Sequence, residues 1–296
     1  MQETGQDTPD FDIRSTILRE LADASEIELP FGATLHLPQF DPVQLGPLSL
    51  DLSITKHVVF LALAAFLAAV VLISAARRAR RAHEAGAKEA PRGIANVVEA
   101  VVLYLRDEVA VPNLGPGGDR YVGFIITLFF FILFANLLGL VPWGASPTGN
   151  ISVTAALAAA TFVVVEVAGM RALGWKGYLK TIFYAPEGMA WGLRIPMLVI
   201  LTPVEVLGKL TKPFALAVRL YANMTAGHAV LLALTGLLVL AAMADRLFVV
   251  PAPVLMAVAI MVLEIFVAFL QAYIFALLSS VFIGLIRHTH AADASH

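Results

Sequence analysis

In the carboxy-terminal third of the chain, a few polar side chains stand in otherwise apolar surroundings. Glu205, Lys209, Lys212, Arg219, Asn223 and His228 fall in one stretch, Glu264 and Gln271 in the next. Carboxylic acids and an imidazole bind and release protons, the imidazole near pH 6.5 when unperturbed, about the middle of the physiological range. A guanidinium keeps its charge even where poorly solvated, with a pKa above about 12, whereas a buried lysine can lose its own. Together these residue types permit proton transfer past a fixed positive charge.

Their spacing is helical. At about 100° per residue, Glu205, Lys209, Lys212, Arg219 and Asn223 fall within a stripe roughly 80° wide, and His228 lies about 140° from Glu205. Glu264 and Gln271 are nearly eclipsed, about 10 Å apart along their own helix. If the two stretches fold back as an antiparallel pair, Arg219 facing Gln271 and His228 facing Glu264 both place the turn at 245–246. Asp245 and Arg246 supply the only charged break in that region. The spacing predicts Arg219 level with Gln271, and His228 level with Glu264 nearer the turn.

The elements that must carry these residues are membrane spans. The 296 residues are 59% hydrophobic and 14% charged, with mean hydropathy +0.83. A soluble domain runs nearer 45–50% apolar and about 25% charged. The apolar residues are clustered in continuous runs without in/out alternation, which favours helices over a barrel. About 20 such residues cross the hydrocarbon layer. The expected fold is an all-α polytopic membrane protein of about five spans, near residues 57–76, 121–141, 151–170, 194–244 and 253–286. An interfacial amphipathic helix is expected near 94–111, too polar to span. The last two stretches far exceed one bilayer thickness, so they must tilt strongly or break, forming a long hairpin. Pro196, Pro203 and Pro213 are candidate kinks.

Residues 1–56 hold ten Asp/Glu against three Lys/Arg and read as an extramembrane segment with a short helix near 13–25. The membrane domain runs over 57–288, with 289–296 as a tail. The acidic start lacks the basic-then-apolar pattern of a cleavable signal. RRARRAHEAGAKEAPR, after the first span, is basic and short, which favours the cytoplasmic or matrix side. The amino terminus then lies outside and the carboxy terminus inside. On that topology His228 and Glu264 belong to the outer half of the membrane. Glu205, Lys209 and Lys212 belong to the inner half, with Arg219 between. Two polar zones on opposite sides of a lone arginine are what a proton path made of two half-channels needs. Ionisable groups at membrane depth cost at least about 2.5–3.5 kcal/mol each, which makes each a functional candidate.

Several motifs carry a resemblance. KPFALAVRLYANMTAGH at 212–228, NLLGLVP at 136–142, PTGNISVT at 147–154 and the Glu264…Gln271 pair occur in that order. In these segments, and over roughly residues 50–288, the chain resembles subunit a of the F-type ATP synthase. The resemblance implies a non-catalytic stator subunit that conducts protons past a rotating c-ring. Arg219 matches the essential arginine facing the ring carboxylates, Asn223 and Gln271 its polar neighbours, and His228 and Glu264 the proton-inlet pair. In many bacterial members the acid and the imidazole are exchanged; the arrangement here is that of mitochondrial and related members, and it implies direct contact between the two. Implied partners are the c-ring, b-type peripheral-stalk subunits, the rest of the complex and membrane lipid. No cofactor and no nucleic acid are expected. The implied location is a bacterial cytoplasmic membrane, with a mitochondrial inner membrane as the alternative.

Other readings compete. Asn223 and Gln271 also suit helix–helix adhesion, and Glu205, Lys209 and Lys212 suit interfacial anchors. Asn136 is a possible channel-lining residue. Glu166, in TFVVVEVAG, is either a channel-lining acid or one half of a structural pair. Zero cysteines exclude disulfides, thiolate metal sites and iron–sulfur ligation. A secondary transporter would call for internal repeats, and none stands out. A haem-binding cytochrome would call for paired histidines in the spans, where only His57 and His228 occur in or near them. A mere membrane anchor would not need the polar hairpin. No nucleotide-binding loop is present, so any ATP chemistry belongs to other subunits.

Overall fold

The computed structural model describes residues 26–28, 34–39, 43–45, 48–50, 53–84, 94–141, 144–183, 191–243, 248 and 250–288. Two small antiparallel hairpins come first: β1 (Glu26–Glu28) with β2 (Thr34–His36), and β3 (Val43–Leu45) with β4 (Leu48–Leu50). Across the first, His36 Nδ1 lies 3.0 Å from Glu26 Oε1. The short helix expected near 13–25 lies outside the described residues.

Helices follow: α1 (Lys56–Glu84), α2 (Ile94–Tyr104), a π-helical turn (Leu105–Ala110) and α3 (Val111–Leu114). Then come α4 (Asp119–Gly139), α5 (Ile151–Ile182), α6 (Trp191–Met243) and α7 (Pro251–His288). Among the described residues, α1, α4, α5, α6 and α7 are long and apolar enough to cross a membrane. The mostly helical architecture expected from composition is the one observed.

Local chemistry explains the boundaries. Gly115 and Gly117, at φ 66° and 72°, turn the chain between α3 and α4, where a side chain would be strained. Pro147 opens a short 3₁₀ turn (Pro147–Gly149), and Asn150 caps α5 by accepting a hydrogen bond from Ser152 N at 2.9 Å. The helical path of α5 runs twelve residues past the Met170 end expected for the third span, through RALGWKGYLK, with Gly174 breaking it at φ 67° and ψ 165°. α7 opens on Pro251, a residue suited to a first helical turn.

The core lies where α4, α5, α6, α7 and the π-turn meet. Ile125, Phe129, Ile132, Leu220, Phe275 and Ile283 are fully buried there. α6 has 53 residues, a length of about 80 Å, against about 30 Å of hydrocarbon. Pro196, Pro203 and Pro213 lie inside it, and the helix continues through them.

Candidate functional site

α6 and α7 run antiparallel and carry all the residues singled out in the carboxy-terminal third. Asn223 Nδ2 donates to Gln271 Oε1 at 2.9 Å, the cross-helix bond nearest the middle of the pair. The residue bonded to Gln271 is therefore Asn223 and not Arg219, which lies one helical turn, about 6 Å, further from the connection. The close approach of Gly227 to Glu264 nevertheless falls at the expected register. α6 ends at Met243 and α7 begins at Pro251, so the connection straddles the expected 245–246. Asp245 and Arg246 themselves are outside the described residues.

Glu264 is buried, and neither carboxylate oxygen has a hydrogen-bond partner among the described residues. It is seated against Gly227, where a β-carbon would collide with the carboxylate. His228 is next in sequence and half-buried, and its Nε2 also lacks a partner. That nitrogen lies beside Gly139, 3.0 Å from the place a β-carbon would take. No hydrogen bond therefore joins His228 to Glu264, where the resemblance implies direct contact. Their helix positions do agree, since Gly227 and Glu264 touch, but the two side chains diverge by the 100° that separates Gly227 from His228. The first turn of α1 brings Lys56 and the buried His57 within electrostatic reach of His228.

Arg219 lies on an exposed face of α6 and makes no hydrogen bond or ion pair among the described residues. Gly208, Thr211, Ala215, Ala222 and Ala226 share that face, and all are exposed. They recur every three or four residues, so the arginine stands in a shallow strip of small side chains. In lipid, such a strip is where a second helix can approach closely. The strip is legible in the sequence as small residues at helical spacing.

Towards the amino-terminal half of α6 the polar residues gather around a cavity of about 510 Å³. Glu166, Lys180, Glu205, Lys209 and Lys212 line it, with Phe282 and other apolar side chains. Lys209 Nζ is 3.7 Å from Glu166 Oε2 and 3.2 Å from the Tyr178 hydroxyl, and sits 4.4 Å from the Tyr178 ring centre. Lys212 Nζ lies 5.2 Å from the centre of the Phe282 ring. Tyr178 was not anticipated, because it lies beyond the 151–170 bounds expected for the third span.

Asn136 is fully buried at the end of α4. Its Oδ1 accepts from Thr148 Oγ1 at 2.7 Å, its Nδ2 donates to the Ala268 carbonyl at 3.3 Å, and Ser146 Oγ lies 2.9 Å from Thr148 Oγ1. The network ties α4, the 3₁₀ turn and α7 together.

Comparison with known proteins agrees with this arrangement of helices. The family described as ATP synthase A chain matches residues 58–284. The chain is 45% identical over 283 residues to ATP synthase subunit a of Myxococcus xanthus, covering 88% of each chain. It is 42% identical over 270 residues to ATP synthase subunit a 2 of Chlorobaculum tepidum, covering 91% of this chain and 72% of the relative. With ATP synthase subunit a 2 of Chlorobium luteolum it shares 46% identity over 267 residues, covering 90% of this chain and 73% of the relative. A match across three quarters of the chain, with relatives above 40% identity, leaves one conclusion: the chain belongs to the ATP synthase subunit a family, as a multi-pass membrane subunit of the proton-translocating complex and not its catalytic part.

Proposed function

We propose that this subunit supplies two proton half-channels to a rotating ring of c-subunits, with Arg219 as the charge that separates them. The observation that carries the reading is Arg219 itself, unpaired among the described residues on an exposed face of a membrane helix, flanked by small side chains. A guanidinium in lipid without a partner among the described residues calls for an anion from outside. The strip around it fits a close-packed helix, and a ring carboxylate would supply the charge. By favouring the ionised carboxylate, Arg219 makes the ring release its proton on one side and take up another on the far side. It also repels protons, blocking a direct leak.

On either side along α6 lie the two zones such a path uses. His228, nine residues (about 13 Å) beyond Arg219, and Glu264 supply unpartnered groups at the outer end. Glu205 and Lys212 line the cavity at the inner end. Asn223 and Gln271, joined by their hydrogen bond, hold the two helices in register beside Arg219. The basic 77–92 segment, helical as far as Glu84, favours an amino terminus outside and a carboxy terminus in the cytoplasm of a bacterial cell. Each proton moved draws about 2.3 kcal/mol per 100 mV of membrane potential. Lipid and b-type stalk subunits cover the remaining apolar faces. An imidazole and a carboxylate at the inlet favour protons over sodium as the coupling ion.

Arg219→Ala tests this directly in membrane vesicles holding the assembled complex. ATP-driven proton pumping and proton-driven ATP synthesis should both disappear while the subunit stays in the membrane at its usual level. Arg219→Lys should fail as well, since a lysine at that depth can lose its proton. Retained coupling in Arg219→Ala would refute the assigned role.

A further inference from the structure

The ion pair at the inner cavity has a geometry that simple adhesion does not explain. Glu166 on α5 and Lys209 on α6 have side chains only 13% and 12% exposed, so both have given up most of their hydration. A charge pair retained for packing closes to about 2.7–2.9 Å, because the hydrogen bonds must offset desolvation. Here the separation is 3.7 Å, and the hydrogen bond the ammonium makes goes to the Tyr178 hydroxyl. The Tyr178 ring also holds the cation from its face. Lys209 thus stands 3.7 Å from Glu166 Oε2, longer than a close charge-assisted hydrogen bond, while the carboxylate lines the cavity. The other charged groups around that cavity are Lys180 on α5 itself and Glu205 and Lys212 on α6, while α7 contributes apolar side chains such as Phe282 and Ile286.

We propose that Glu166 is a proton-relay residue of the inner cavity, with Lys209 and Tyr178 as its positioning residues. This deepens the function proposed above and rests on it. The ionised carboxylate takes a proton from hydronium in the cavity, leaving water and a neutral acid, then returns it to water on the surface side. Tyr178 holds Lys209 at a distance where its charge offsets part of the cost of burying the carboxylate and helps the proton leave again. Glu205, on the other helix, provides the first acid of the same compartment. The cavity then offers a proton leaving the ring two acids on facing helices.

Proton flux through vesicles that hold the assembled complex, stripped of its catalytic sector and driven by a potassium diffusion potential, tests the proposal. Glu166→Gln, which keeps size and hydrogen bonding but cannot carry a proton, should slow flux per assembled complex by roughly tenfold or more, within what a positioned proton-transfer group contributes. Glu166→Asp should retain most of it. The double variant Glu166→Leu with Lys209→Leu separates relay from adhesion, because replacing both partners of a buried pair by apolar residues is often neutral for stability. It should assemble and still conduct slowly. Wild-type flux in Glu166→Gln or in the double variant overturns the proposal, as does Glu166→Asp conducting no better than Glu166→Gln. If the double variant does not assemble, the pair is adhesive and the proposal fails. Normal flux in Glu166→Gln alongside lost coupling in Arg219→Ala removes this inference alone. Preserved coupling in Arg219→Ala removes the reading beneath it.

Discussion

Gly227 and Glu264 approach so closely across α6 and α7 that no side chain fits between them. The carboxylate rests where a β-carbon would be, buried and without a hydrogen-bond partner among the described residues. Gly227→Ala should therefore displace Glu264 without touching its chemistry. Proton flux per assembled complex should fall by roughly tenfold or more, within the range for a displaced proton-transfer group, and Gly227→Ala with the shorter Glu264→Asp should recover part of it. Unchanged flux in Gly227→Ala would show that the close approach does not set the acid's position.

The Asn223–Gln271 bond makes a quantitative prediction. Hydrogen bonds between membrane helices are worth about 0.6 kcal/mol on average and up to about 1.7. A double-mutant cycle with Asn223→Leu and Gln271→Leu, read by unfolding of the detergent-solubilised subunit, should give coupling in that range. Zero coupling would remove the bond as the device that sets register beside Arg219.

These two contacts also show what the sequence could reveal. Charged residues at helical spacing announced the α6 stripe, and apolar runs announced the five helices, because burial in lipid leaves few alternatives for either. Which side chains meet across the pair was not legible. The stripe fixes which residues share a face of α6, but not which of them meets Gln271, nor that Glu264 closes onto Gly227, a residue with no side chain to mark it. Tyr178 was missed for a related reason. RALGWKGYLK contains two lysines, an arginine and two glycines and lies past the expected end of the third span, yet the helix resumes after a single break at Gly174. Asn136 was singled out by motif, but that its oxygen and nitrogen are both engaged by Thr148 and Ala268 follows only from the fold.

Asn136→Leu should lower stability more than conduction. It leaves the Ala268 carbonyl without this buried donor and removes one acceptor from Thr148, and a buried group left unsatisfied costs about 1–3 kcal/mol. The thermal midpoint of the solubilised complex should drop, while flux per surviving assembled complex stays near normal. The reverse pattern, with normal stability and lost flux, would instead make Asn136 part of the proton path.

Arg287 gives a separate structural test at the other end of α7. Its guanidinium donates to the Leu114 and Pro116 carbonyls, both at 2.7 Å, bridging the end of α7 to the turn before α4. Gly284 comes close enough to the Asn113 carbonyl that a β-carbon would collide there too. Arg287→Lys keeps the charge but cannot span two acceptors with a planar fork. It should cost about 1.5–3 kcal/mol, the value of one charge-assisted hydrogen bond, seen as faster protease cleavage around 114–118. Equal protection in Arg287→Lys would show that a point charge suffices.

The proline at 213 has a further consequence for the inner cavity, whose wall it forms. Proline has no N–H, so the backbone oxygen of Lys209, one turn earlier, loses the helical donor it would otherwise receive. An orphaned acceptor at membrane depth needs a donor from elsewhere, and the adjoining hollow is where a water molecule can reach it. The main chain would then anchor hydration at that spot, and trimming the nearby side chains would leave the anchor in place.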